Sequence, residues 1–116
     1  MIYSYELEKQ LLAGLLKDPA SLTEICNFIS VSDFYSDQSS LNSTIFRIVE
    51  QAVNAGDDID EIIIAQRVNE VGLSFEDNLN PSDYIKSLAL RKVPKGNVIK
   101  TAKELKKYSI RREILA

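Results

Sequence analysis

Ser4-Tyr5-Glu6-Leu7-Glu8-Lys9-Gln10-Leu11-Leu12-Ala13-Gly14-Leu15-Leu16-Lys17-Asp18-Pro19 is the stretch on which the fold turns. Its leucines stand at 7, 11 and 15, with 12 and 16 beside them. That spacing gathers them on one side of a 3.6-residue spiral, so the stretch reads as an amphipathic helix from about Tyr5 to Lys17. Ser4 offers a side-chain oxygen to the unpaired N–H groups of the first turn. Asp18-Pro19 ends this helix and starts another, since aspartate suits an N-cap and proline the first helical position.

The same period recurs outward from there. A second helix carries Leu22, Ile25, Cys26 and Ile29, and Ser32-Asp33-Phe34-Tyr35 reads as a single capped turn whose aromatics enter the core. Ser36 to Ser40 is polar loop. A third helix, about Leu41 to Ala55, carries Leu41, Ile45, Ile48, Val49, Ala52 and Val53, with Gly56 placed to end it in a left-handed cap. Asp60 caps a fourth, bearing Ile63, Ile64, Val68 and Val71 and closed by Gly72, although its Ile62-Ile63-Ile64 run also suits a strand. Leu73 to Leu79 is an irregular connection, after which Asn80-Pro81 opens a fifth helix with Tyr84, Ile85 and Leu88. Beyond the break at Val93 to Asn97, a sixth runs from about Asn97 to Ala116. It places Val98, Ala102, Leu105 and Tyr108 on one stripe, followed by Ile110, Ile114 and Leu115. The expected fold class is all-α: a compact helical head of about five helices over 1–96 and a long C-terminal helix over 97–116. A helix with a single apolar stripe needs that stripe covered, by the head, by another copy of the chain or by a further segment.

Composition bounds the function. With 116 residues, 45% of them apolar and 27% charged, the chain fits one ordinary domain with a core and a solvated surface. Residues 1–90 hold five Lys or Arg against fifteen Asp or Glu, and residues 91–116 hold nine against two. The acidic part is unsuited to nucleic acid, whereas the basic helix suits phosphates or an acidic partner. A lone cysteine makes no internal disulfide and no metal pair, which points to a reducing compartment. The N-terminus turns acidic at Glu6, unlike a signal peptide, and no stretch approaches the roughly 18 apolar residues of a membrane span, so the chain reads as cytoplasmic.

No histidine is present, which removes the commonest general base, the commonest metal ligand and every Ser-His or Cys-His pair. The four glycines stand apart at 14, 56, 72 and 96, so neither a P-loop nor a GxGxxG turn can form. Asp57, Asp58, Asp60 and Glu61 lack the spacing of a calcium loop and read as an acidic turn leading into a helix cap. Cys26 reads as a small buried hydrophobe, and Phe34 and Tyr35 as core aromatics. Lys100, Lys103, Lys106, Lys107, Arg111 and Arg112 share their helix with Tyr108 as the only aromatic, whereas binders that stack bases interleave several. A solvated face, a protein or oligomer contact, and a nucleic-acid contact all stay open for them. No catalytic, cofactor or metal site is expected within these residues.

Several short motifs, in order along the chain, resemble the N-terminal domain of replicative DNA helicases of the DnaB type, bacterial or phage. Glu8 to Pro19 looks like that family's opening helix, which ends in Leu-Leu-x-Asp-Pro. Asp33-Phe34-Tyr35 is similar to its Asp-Phe-Tyr turn, Ile45-Phe46 to its Ile-Phe, and Gly56-Asp57-Asp58-Ile59-Asp60 to its Gly-x-x-Ile-Asp. Tyr84-Ile85, Val93-Pro94, Asn97-Val98 and Ile110-Arg111-Arg112 resemble the Tyr-Leu, Val-Pro, Asn-Ile and Leu-Arg-Arg positions near its end. Departures mark a distant relative: Ala13-Gly14 reverses the usual Gly-Ala, Asn42 stands where histidine is frequent, and Thr101 where tyrosine is.

The resemblance implies a collar domain above an ATPase motor, pairing with other copies of itself in a dimer and, in the full protein, a hexamer. It implies a primase or helicase loader as docking partner, with DNA touched only indirectly. The helix at 97–116 would be the first arm of a helical hairpin, with the second arm and a motor using ATP and Mg to follow. The expected contact surface on that arm is Val98, Ala102, Leu105, Ile110 and Ile114, with basic residues at its rim. Two other readings use the same features: the helicase-binding domain of a primase or another helical adaptor, and a small helical domain that binds nucleic acid.

Overall fold

The computed structural model describes residues 4–35, 41–72, 80–94 and 96–115. Six α-helices follow in order: α1 (Tyr5–Lys17), α2 (Leu22–Ile25), α3 (Leu41–Asn54), α4 (Glu61–Val71), α5 (Pro81–Leu90) and α6 (Val98–Leu115). Two 3₁₀ turns, Pro19–Ser21 and Val31–Asp33, flank α2, and no strand occurs among the described residues. The fold is therefore all-α. The loops read at Ser36–Ser40 and Leu73–Leu79 lie outside the described residues.

The helix ends obey their local chemistry. The Leu7 N–H donates to Ser4 Oγ at 3.2 Å, starting α1. Asp60 accepts from the Ile62 N–H at 2.7 Å, and Asn80 accepts from the Ser82 and Asp83 N–H groups ahead of Pro81. Gly56, at φ +75°, closes α3: its N–H reaches the Val53 carbonyl and the Asp57 N–H the Ala52 carbonyl, a pattern that satisfies two orphan acceptors. Gly72, also at φ +75°, ends α4, so the isoleucine run that suited a strand is helical between a side-chain cap and a left-handed stop. Asp18 differs from expectation. Its side chain makes no cap bond, and the turn after α1 is fastened by Ser21 Oγ donating to the Asp18 carbonyl at 2.7 Å.

α1 lies at the centre. Leu11, Leu12, Ala13, Gly14 and Leu15 are all buried, a consecutive run that only a helix enclosed on every side can hold. α3, α5 and α6 pack around it, and α4 closes against α3 and α5. Phe34 enters from the Val31–Asp33 turn and tilts against Phe46 of α3, ring centres 4.9 Å apart. Tyr35 is only half-buried, its ring 6.1 Å from that of Tyr5. Cys26 is exposed rather than buried: α2 ends at Ile25, and the residues that turn inward are Leu22 and Ile25, with Ile29 from the segment beyond, while Cys26 at the helix end faces outward. Ile63 and Val71 are likewise partly open, since α4 is an edge helix that buries only Ile64, Ala65 and Val68.

α6 packs along α1, and Val98, Ala102 and Leu105 complete the same core. Gly14 makes the approach possible: a Cβ built there would lie 2.7 Å from Val98 Cγ2. The radius of gyration, 13.4 Å, equals what one compact body of this length has (~13 Å), so α6 is largely a wall of the head rather than a free arm.

Candidate interaction surface

Two carboxylates that sequence reasoning passed over organise the interior. Glu8 precedes Leu11 and Leu12 by three and four residues, which places it on the inward stripe of α1, and it is fully buried. Its oxygens accept from the Tyr35 N–H and from Asn42 Nδ2, each at 2.9 Å. The Tyr84 hydroxyl donates in turn to Asn42 Oδ1. One polar chain thus links α1, α3, α5 and the segment after the Val31–Asp33 turn. Burial pushes the Glu8 carboxyl above its ordinary value, against the opposing pull of these bonds and of the Arg112 charge. Burial, helped by the Glu8 charge, also pushes Tyr84 up to about 12, so it is a proton donor at neutral pH.

Asp33 is the second. Its carboxylate accepts from the Ser30 N–H at 2.8 Å, Ser109 Oγ at 2.6 Å and Lys106 Nζ at 3.0 Å. Arg112 Nη2 donates to its backbone carbonyl at 2.6 Å. Burial raises the Asp33 carboxyl, yet the bonds from Ser109, Ser30 and Lys106, with the ammonium charge, prevail and hold it below the ordinary value. Asp33 therefore pins the second half of α6 to the head. Lys106 and Arg112, read as members of an outward basic face, point partly inward for this purpose.

The five residues expected on the contact surface separate accordingly. Val98, Ala102 and Leu105 are buried against α1 and cannot meet another molecule; the stripe expected to await a partner is covered by the head itself. Ile110 and Ile114 are exposed, at 44% and 75%, and Leu115 joins them at 69%. Arg111, set over the Tyr108 ring, and Lys107, paired with Glu104, lie on the same last turns. The end of α6 is thus an apolar tip with cationic neighbours.

A second feature had no signal in periodicity. α4 and α5 form a hairpin, joined where Asn69 Nδ2 donates to Ser82 Oγ at 3.3 Å. Between them lies an open groove of about 670 Å³, lined by Glu61, Ile62, Ala65, Gln66, Asn69, Glu70, Ser82 and Lys86. Ile62 is 72% exposed at its mouth, and Leu90, one turn beyond Lys86, is similarly bare.

The described residues hold no cluster of three or more metal-ligating side chains, and every described buried side-chain polar atom has a partner. In the acidic turn, Asp57 pairs with Arg67 at 3.0 Å and Asp60 caps α4. None of the described helices is long and apolar enough to cross a membrane.

Comparison with known proteins agrees with this architecture. Residues 1–107 match the family described as DnaB-like helicase N terminal domain. The fold superposes on the crystal structure of the N-terminal domain of DnaB helicase from Mycobacterium tuberculosis with a TM-score of 0.82, at 17% sequence identity, over 97% of this chain and 77% of that one. Among curated proteins, no sequence matches.

Proposed function

This chain belongs to the DnaB-like helicase N-terminal domain family, and we propose that it acts as the collar domain of a replicative DNA helicase, holding subunits together and receiving a primase or helicase loader. The observation that carries this reading is the division of its side chains. Buried polar groups are engaged with one another, while the exposed apolar ones concentrate at the end of α6 and along the α4–α5 hairpin. Exposed apolar side chains rimmed by charge are the usual mark of a protein-contact surface.

Within this proposal, residues 1–96 and the first half of α6 form the head, and Ile110, Ile114 and Leu115 are the contact tip. Strand separation, with its ATP and magnesium, belongs to a motor domain elsewhere in such a helicase, and the collar meets DNA only indirectly in the cytoplasm. The internal engagement of Lys106 and Arg112 favours a protein partner over nucleic acid for this helix, because two of its six cations are turned toward Asp33.

The test is a binding measurement against the replicative primase and the helicase loader of the source cell, with Ile114→Asp as control. Saturable binding of either protein, weakened by that variant, is the expected result. Absence of binding to both, alongside steeply salt-dependent affinity for single-stranded DNA, would favour the nucleic-acid reading instead.

A further inference from the structure

The α4–α5 groove is graded from end to end. Asn69 and Ser82 meet at one end. Counting back seven residues along α4 and forward eight along α5, at about 1.5 Å each, brings Ile62 and Leu90 to the other. Both are bare to solvent, and buried Ala65 forms the floor between Ile62 and Asn69. The charge around this apolar end is one-sided. Among the described residues of 57–90, six carboxylates (Asp57, Asp58, Asp60, Glu61, Glu70 and Asp83) stand against Arg67 and Lys86. Arg67 is held by Asp57 at 3.0 Å, so Glu61 and Glu70 of the lining are offset by Lys86 alone within the groove.

Chemistry narrows the occupant. A small molecule would keep much of its surface in water, because the groove is open and its polar liners are exposed, whereas sites for such ligands bury about 70–90% of them. An extended peptide needs a free edge of N–H and C=O groups, and the walls here are two helices whose backbone groups bond within themselves. Nucleic acid is repelled by the carboxylates. A third helix laid along the other two needs only apolar contact and side-chain charge of the opposite sign. The basic helix of this chain does not supply it, since the stripe Val98, Ala102 and Leu105 of α6 is spent on α1.

We infer that the α4–α5 groove receives a basic amphipathic helix from a different protein. The inference rests on the protein-docking role proposed above, and it names the receiving surface and the chemistry of what that surface takes. Glu61 and Glu70 stand nine residues apart, about 13 Å along α4, so the occupant is engaged over two to three of its own turns. Its apolar stripe covers Ile62, Ala65 and Leu90, and lysine or arginine on its flanks faces Glu61 and Glu70. The apolar end supplies the anchor, while the rim charges set the orientation, the speed of encounter and the sensitivity to salt.

Two synthetic helical peptides of about three turns provide the test, one with leucine at helical spacing and lysine between, the other with glutamate in place of each lysine. Each is titrated at low salt into the isotope-labelled chain, with binding read from backbone amide resonances. The lysine peptide is expected to shift Ile62, Ala65, Asn69 and Lys86, and to bind better than the glutamate peptide. Ile62→Asp and Glu70→Lys should each weaken the lysine peptide at least about tenfold, and Glu70→Lys should improve the glutamate peptide. Both positions are exposed, so circular dichroism should show unchanged helix content. A lysine peptide that does not bind, that binds no better than its glutamate counterpart, that shifts other surfaces only, or that is indifferent to both variants overturns the inference. So does self-association of the unaltered chain that Ile62→Asp abolishes, which would give the groove to a second copy. The same variants in the primase and loader measurement separate the groove from the docking role. Partner binding weakened by Ile114→Asp but kept by both groove variants overturns the groove and leaves the collar reading standing. Peptide binding in the groove without affinity for primase or loader upholds the groove and removes the collar reading.

Discussion

Asp33→Asn tests the fastening of α6 most directly, because it removes a charge while keeping the volume. The Ser30 N–H can remain on the amide oxygen, but the amide NH₂ then faces Ser109 and Lys106. Bonds to a charged acceptor contribute about 1.5–3 kcal/mol and those to a neutral one about 0.5–1.5, so the two bonds from Ser30 and Ser109 lose about 2 kcal/mol together. Lys106 is 37% exposed and can turn to water, so its ion pair adds under about 1 kcal/mol. Relief from burying a carboxylate works the other way. The net loss is about 1–2 kcal/mol at neutral pH, a fall in Tm of about 4–8 °C for a domain of this size. The sign with pH follows from a folded-state value held below the ordinary 3.8. Stability from Asp33 is fully present above that value and is lost as acid protonates the folded carboxylate. Thermal melts by circular dichroism at neutral pH and near pH 3 should therefore show a gap between wild type and variant that closes in acid. A variant as stable as wild type at neutral pH, or a gap that widens in acid, would refute the assignment of Asp33 as the anchor.

Gly14→Ala should lower the denaturant midpoint at constant m-value. The new methyl meets stiff Val98 at 2.7 Å, an overpacking cost of about 1–3 kcal/mol that exceeds the gain in helix propensity of up to ~1. Glu8→Gln should leave neutral-pH stability equal or higher, since the Asn42 amide can turn over to meet it. Because burial raises the folded Glu8 value above 4.5, the wild type loses stability as pH rises through that window, and the variant's pH–stability curve should lack this slope. Cys26 should react with a thiol reagent in the native protein at a rate close to that in denaturant, whereas protection would contradict its exposed position.

The helices were legible because periodicity is a local property: Leu7, Leu11 and Leu15, or Ile45, Ile48, Val49 and Ala52, declare their shared face without reference to anything distant. Caps at Ser4, Asp60 and Asn80 were readable for the same reason. Glu8 was legible in part, since its place on the leucine stripe is visible, but its partners at 35 and 42 come near only when the chain folds. Asp33 is bound to residues 73 and 76 positions away, beyond any local pattern. The contact surface was misjudged at Val98, Ala102 and Leu105 because a stripe shows that a helix is covered, not by what. The groove was unreadable for the converse reason: Ile62 looks like core until the neighbours of α4 are known.

The contact between α1 and α6 sets a condition on how this domain is made. Leu11, Leu12 and Leu15 leave the ribosome well before Val98, Ala102 and Leu105, which cover one side of them. Until then a nascent chain carries its central helix half-clothed, and premature termination before residue 98 would leave an oily surface open to chaperones and proteases. The head stays open along this side until α6 seats over Gly14, the one position there whose missing side chain leaves room for Val98.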